Sequence, residues 1–318
     1  MTRIPTSVTR LLGIDLPIVQ AGMSWASSCS ALPLAVSNAG GLGVVAAGPM
    51  RLSDLDRVLT EVAAGTSRPW AVNLPLYRAG VDEVMDLVLR HRPPVLIASQ
   101  GGPRRYLDRF HEAGTRCLHV VAGVPHALKA ASAGVDGLVV VGAEAGGHPP
   151  PAMVTTTVLV RAVTRAVSLP VIASGGIADG FGLAATLALG AGAAQFGTRF
   201  LASAEASVHP AYKEAVVASD VDGTRTVGHG LGVIRALSND FTSRMAALES
   251  TGAEESLRHK TFEASTLKDA ALHGDVVDGK VEAGQSAGLV DAVLPAAEIV
   301  ANIVREYGEA RAGLPPVG

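Results

Sequence analysis

The chain of 318 residues is 48% hydrophobic and 17% charged, with 36 glycines and 18 prolines, which is the composition of a folded globular protein rather than a disordered or fibrous one. Lys plus Arg number 26 against 29 Asp plus Glu, so there is no cationic footprint for nucleic acid. No run approaches the ~18 uninterrupted apolar residues of a membrane span, the first residues lack the apolar core of a signal peptide, and two cysteines, Cys29 and Cys117, are too few for a disulfide framework or a thiolate metal cluster. A soluble, cytoplasmic protein without thiol redox chemistry is expected.

Eight short apolar runs follow one another, each ending in or followed by small or polar residues: 17–21 (PIVQA), 42–46 (LGVVA), 70–74 (WAVNL), 95–99 (VLIAS), 117–121 (CLHVV), 137–141 (GLVVV), 170–174 (PVIAS) and 193–197 (AAQFG). Near-continuous apolar runs of this length read as parallel strands covered on both faces. Amphipathic stretches at 52–64, 81–90, 106–113, 125–133, 158–166 and 180–189 separate them and read as helices. Gly114, Gly134 and Gly190 sit where a helix must turn back into the sheet, a place for a left-handed cap.

Eight β-α cycles predict a closed (β/α)8 TIM barrel of the α/β class rather than an open doubly wound sheet. After the eighth run the cycle stops. Residues 1–204 are therefore expected to form the barrel, 205–285 an inserted, mostly helical, lid-like segment, and 286–318 a return with a last helix over 296–305 and a Pro/Gly tail from residue 310.

In such a barrel the chemistry lies where strands end, so the residues following each run are the candidates. After run seven comes SGGIADG, with Gly175 and Gly176, and run eight leads into Gly197 and Thr198. Glycine loops after strands seven and eight that open onto helix N-termini let backbone N–H groups approach a phosphate, although glycine also serves ordinary tight turns. After run six, Ala145, Gly146 and Gly147 lead to His148, an imidazole at the barrel mouth able to give or take a proton near neutral pH. Ala21, Gly22 and Met23 at the end of run one suit a flat ring, Asn73 offers an amide, and Gln100, Gly101 and Gly102 follow run four. Metal-ligand spacing, a nucleophile elbow and nucleotide-loop glycine patterns are absent from the sequence.

Taken together, PIVQAGM at 17–23, SNAGGLG at 37–43, EAGGH at 144–148, ASGGIADG at 173–180, QFGTRF at 195–200 and GQSAGLV at 284–290 resemble the nitronate monooxygenase family, formerly called 2-nitropropane dioxygenases. That family shares its barrel and FMN site with the FabK-type enoyl-acyl-carrier-protein reductases. The resemblance implies that Ala21, Gly22 and Met23 lie along the isoalloxazine, that Asn73 bonds to its polar edge, and that Ala145, Gly146 and Gly147 pass the ribityl-phosphate side. It also places the FMN phosphate on Gly175, Gly176, Gly197 and Thr198, and makes His148 the catalytic histidine. The implied reaction is oxidation of an alkyl nitronate by O2 to a carbonyl compound and nitrite.

The chain departs from many relatives in Pro149-Pro150-Pro151, a stiff run directly after the histidine, which leaves the substrate open. Arg235 resembles part of the family's lid but equally suits an ion pair, and Glu144 reads better as a capping or ion-pair residue than as a catalyst. The alternatives are an NAD(P)H-dependent FMN reductase of enoyl thioesters, acyl-CoA derivatives or quinones, and an FMN-binding protein without turnover. A mean hydropathy of +0.33 permits an exposed apolar patch and hence a homodimer, although the glycine- and alanine-rich barrel raises that average by itself.

Overall fold

The computed structural model describes residues 2–315. Its centre is an eight-stranded parallel sheet, β1 (Ile18–Gln20), β2 (Gly43–Ala46), β3 (Trp70–Pro75), β4 (Val95–Ser99), β5 (Arg116–Val121), β6 (Gly137–Val141), β7 (Val171–Ser174) and β8 (Ala193–Phe196). Each strand falls on its expected run to within a residue at either end. From β2 to β8, neighbours in sequence are neighbours in the sheet, and β1 pairs with β8, with Ile18 opposite Ala194.

The remaining seam, between β1 and β2, is closed by two backbone bonds and one side chain. The Leu42 N–H donates to the Ile18 carbonyl at 2.9 Å, and the Gln20 N–H donates to the Leu42 carbonyl at 3.0 Å. The fully buried Gln20 amide then spans the gap, accepting from the Val44 N–H at 2.8 Å and donating to the Val44 carbonyl at 3.2 Å. The sheet is thereby a TIM barrel, as the eight cycles predict.

Because side chains alternate along a strand, each strand sends every second residue inward. Val19, Val44, Ala71, Ile97, Val139, Ile172 and Ala193 pack together inside the barrel, joined by Val8 and Leu12 of a helix at Ser7–Leu12. This helix is not among the elements expected from the sequence. It caps the N-terminal ends of the strands, where the Thr6 hydroxyl donates to the Gly192 carbonyl at 2.5 Å just before β8. The alternate residues, such as Val72 and Leu74 of β3 and Leu138 and Val140 of β6, pack outward against the surrounding helices.

After β8 the chain forms helices at Pro210–Val217, Asp240–Ser250, Glu255–Ala264 and Leu267–His273. It also forms an antiparallel hairpin of β9 (Thr224–Val227) and β10 (Ile234–Leu237), which the sequence did not lead us to expect. Four-residue strands joined through a glycine-rich turn carry too little periodicity to stand out. Val227, Ile234, Ala236, Phe241 and Met245 give the hairpin and the helix after it a small core of their own. The last helix, Ala296–Ala312, runs past the expected stop at 305, and residues 316–318 of the expected tail lie outside the described residues. It packs on the helix Gly180–Ala188, where a Cβ on Gly180 would come within 2.2 Å of the Tyr307 nitrogen.

Candidate active site

The same alternation that fills the barrel builds the floor of a cavity of about 860 Å³ at the C-terminal ends of the strands. Two residues beyond the inward Val19, Ala71, Ile97, Val139, Ile172 and Ala193 come Ala21, Asn73, Ser99, Val141, Ser174 and Gln195, and all six line the cavity. Below them the interior is apolar; at this layer it becomes small and polar. Asn73 donates through Nδ2 to the Ile97 carbonyl at 3.2 Å, and Gln195 donates to the Ser174 hydroxyl at 3.0 Å.

All twelve residues singled out from the sequence, Ala21, Gly22, Met23, Asn73, Ala145, Gly146, Gly147, His148, Gly175, Gly176, Gly197 and Thr198, line this one cavity, as do Gln100, Gly101 and Gly102. Their proximity arises only when the barrel closes, since Gly22 and Thr198 lie at opposite ends of the strand series. Gly22 sits so close to β3 that a Cβ there would lie 2.3 Å from the Asn73 Cβ.

Gly175 and Gly176 have φ of +108° and +71°, the left-handed region that glycine enters without strain. Among the described residues, the backbone N–H groups of Gly175, Gly176, Gly197 and Thr198 donate to no partner. Four free donors on two glycine loops make a cradle suited to an anion.

Glu144 acts as a cap. Its carboxylate accepts from the Thr156 N–H at 3.1 and 2.9 Å and from the Thr156 hydroxyl at 2.8 Å, at the start of the helix Thr156–Ala166. The same hydroxyl lies 2.9 Å from the Gly175 carbonyl, so the loops after β6 and β7 are held together.

His148 projects into the open cavity, and its ring nitrogens have no hydrogen-bond partner among the described residues. Surrounding protein disfavours the imidazolium, and the positive charge of Lys280 adds to the effect, so the pKa is held below its ordinary value. A neutral imidazole with a free nitrogen can accept a proton or hold a hydrogen bond at pH 7. Pro149, Pro150 and Pro151 continue the cavity wall beyond it.

The segment after β8 completes the enclosure. The Thr198 hydroxyl accepts from the Gly284 N–H at 2.9 Å, and Gly146 packs so tightly on Ala283 that a Cβ there would meet its carbonyl carbon at 2.5 Å. Sequence reasoning missed Glu282, His119 and Tyr212, which also line the cavity. Only the position of Glu282 beside the GQSAGLV stretch could have pointed to it. His119 is tied on both sides, with Nδ1 3.0 Å from the Tyr106 hydroxyl and Nε2 3.1 Å from the Gly101 carbonyl. A group of potential metal ligands, His111, Cys117 and Asp136, lies outside this cavity; Asp136 there already accepts from the Cys117 N–H at 2.7 Å.

The family model described as nitronate monooxygenase matches residues 6–86 and 77–306. The chain belongs to the nitronate monooxygenase family. Similar proteins include a nitronate monooxygenase of Paraburkholderia phytofirmans, 33% identical over 93% of this chain and 93% of the relative. A Mycobacterium tuberculosis enzyme named (3aS,4S,5R,7aS)-5-hydroxy-7a-methyl-1-oxo-octahydro-1H-indene-4-carboxyl-CoA dehydrogenase is 32% identical over 95% of this chain and 96% of the relative. Among solved structures, FabK from Thermotoga maritima superposes with a TM-score of 0.91 at 38% identity, covering 97% of this chain and 98% of the other. This member of the family is accordingly an oxidoreductase enzyme built on a TIM barrel. None of its described helices is long and apolar enough to cross a membrane.

Proposed function

We propose that this chain is an FMN-dependent nitronate monooxygenase, converting an alkyl nitronate and O2 to a carbonyl compound and nitrite. The observation that carries the reading is the pairing, in one cavity, of a four-donor anion cradle with a neutral, unpartnered histidine. The cradle fits the phosphate of FMN: the N–H groups of Gly175, Gly176, Gly197 and Thr198 would hold it, and the positive φ of the two central glycines is the conformation that exposes them. Ala21, Gly22 and Met23 would support the flavin ring, Asn73 its polar edge, and Ala145, Gly146 and Gly147 the ribityl-phosphate side. When bound, FMN supplies the electron transfer.

The protein's own contribution is positioning and proton management. Where the substrate arrives as the neutral nitroalkane, His148 takes the proton from the carbon next to the nitro group to form the nitronate, and it directs a hydrogen bond to the nitro oxygens. Glu282, Ala283, Gly284 and the proline wall shape the chamber into which it projects. Anaerobic mixing with a small alkyl nitronate tests the reading: the flavin absorbance bleaches, and nitrite appears once oxygen is admitted. Bleaching by NADH or NADPH alone would overturn it.

A second reading, an NAD(P)H-dependent reductase of enoyl or other acyl thioesters, draws support from the likeness to FabK and from the reach of the cavity. Its wall extends to His126 and Lys129 on the helix Val124–Ala133, where a cation would meet the phosphates of a carrier group. Oxidation of NADH or NADPH that depends on a short enoyl thioester would favour it.

A further inference from the structure

Among the described residues lining the cavity, Glu282 is the only one with a carboxyl group. The backbone around it is tied from three directions. The Tyr212 hydroxyl donates to the Glu282 carbonyl at 2.8 Å, the Leu237 N–H donates to the Val281 carbonyl at 2.9 Å, and the Gly284 N–H donates to Thr198 at 2.9 Å. Val281 and Ala283 on either side are buried in the core, whereas Glu282 is partly exposed and lines the cavity. Its Oε2 lies 3.0 Å from where a Cβ on Gly147 would stand, which places the carboxyl over the residue preceding His148.

No described residue donates a hydrogen bond to this carboxylate. A half-buried carboxylate is an acceptor only, and leaving it unmatched away from bulk water is costly. The charged and titratable groups that act on it are Lys280 on its own segment and Tyr212 on the helix Pro210–Val217; Gly147, against which it stands, is followed by His148 and bridged by Arg235 of β10. Of these, Arg235 is engaged with the Ala143 carbonyl and the Thr224 hydroxyl, and Lys280 lies over the Phe262 ring at 3.4 Å.

We infer that Glu282 is a specificity-determining residue, whose carboxylate receives a hydrogen-bond-donating group of the substrate, an ammonium above all, and opposes a carboxylate or other anionic group there apart from the nitro group held at His148. The inference rests on the reading above only in taking this cavity as the substrate chamber. Burial pushes the carboxyl up to about 7, against the attraction of Lys280, so the preference switches on as pH rises through neutrality.

Hexylamine, hexanol and hexanoate are matched probes that differ in the head group alone. Their binding is read by the shift in thermal unfolding of the chain, with and without added FMN, and by the visible spectrum of the flavin where it binds. At pH 8 the wild-type protein binds hexylamine about tenfold or more tightly than hexanoate, with hexanol between them. At pH 5.5 that ratio contracts as the carboxyl takes up a proton, and in Glu282→Gln it falls to within about twofold at both pH values. Should Glu282→Gln fail to fold, Glu282→Met gives the same reading. An amine preference at pH 8 that survives either substitution, or none in the wild type, overturns the inference. Absence of nitronate turnover by the wild-type protein, with its amine preference at pH 8 present, would sink the proposed reaction and leave this assignment standing.

Discussion

Gly147 and Arg235 exchange backbone hydrogen bonds: the Gly147 N–H donates to the Arg235 carbonyl at 3.1 Å, and the Arg235 N–H donates to the Gly147 carbonyl at 2.7 Å. This long-range bridge joins the hairpin of β9 and β10 to the loop that carries His148. The Arg235 side chain reinforces it, with Nε donating to the Ala143 carbonyl at 3.2 Å and Nη1 to the Thr224 hydroxyl at 3.1 Å. Arg235→Ala removes both bonds and leaves a buried carbonyl unmatched, for an expected loss of about 1–3 kcal/mol. Chemical denaturation measures that loss, and faster release of bound flavin is expected with it. Unchanged stability and retention would show that the backbone bridge suffices.

Gly176→Ala tests the anion cradle. A Cβ at φ +71° is strained and would stand 3.1 Å from the Glu144 Cβ, so the loop must shift. The FMN dissociation constant is expected to rise about tenfold or more while circular dichroism stays that of the wild type. Recovery of free-flavin fluorescence on dilution gives the constant; a value equal to that of the wild type would remove the phosphate from this loop.

Replacing Glu144 separates capping from catalysis. Glu144→Ala strips the start of the helix Thr156–Ala166 of its acceptor and costs about 1–2 kcal/mol. The pH profile of turnover keeps its shape, because Glu144 serves as the cap. A displaced limb in that profile would give Glu144 a part in proton transfer.

His148→Ala is expected to lower kcat by about 10²- to 10⁴-fold with FMN still bound. The pKa of the histidine is depressed by the surrounding protein and by Lys280. A neutral imidazole therefore persists through neutrality, and the acid limb of the wild-type pH–rate profile falls below the ordinary histidine value of about 6.5. A limb above that value, or equal turnover in the variant, counts against His148 as the acid–base group.

Glu282 makes stability depend on pH with a definite sign. Its carboxyl is raised from 4.5 to about 7 in the folded chain, so between those values the native state holds a proton that the unfolded state has lost. The stabilising contribution is full below 4.5 and is lost as pH rises through about 7. Glu282→Gln is expected to be more stable than the wild type at pH 8, by an amount on the order of 1–3 kcal/mol, and nearly equal to it at pH 4. Thermal unfolding at the two pH values decides; a difference independent of pH would mean that the carboxyl is not raised.

The strands and most of the helices were legible because their signals are local. A run such as VLIAS at 95–99 is apolar on both faces wherever it lies, and Gly114, Gly134 and Gly190 adopt positive φ for reasons contained in a single helix end. Gly175, Gly176 and His148 were legible as site candidates because a barrel places strand ends at one rim, so position along the chain already gives position in space. The helix Ser7–Leu12 and the hairpin of β9 and β10 were not: six residues and four residues form stable elements here only by packing on distant parts of the chain.

The order of residues along the chain was enough to specify the α/β repeat, the glycine loops and a histidine at a strand end. Folding had to supply the rest: that Gln20 stitches the seam of the barrel, that Glu144 caps a helix, that Arg235 holds the His148 loop, and that Glu282 enters the cavity. Each of these roles depends on a partner brought from another element. A polar side chain carries the same donors and acceptors in any sequence, and its function is set by which of them folding leaves matched and which it leaves facing the cavity.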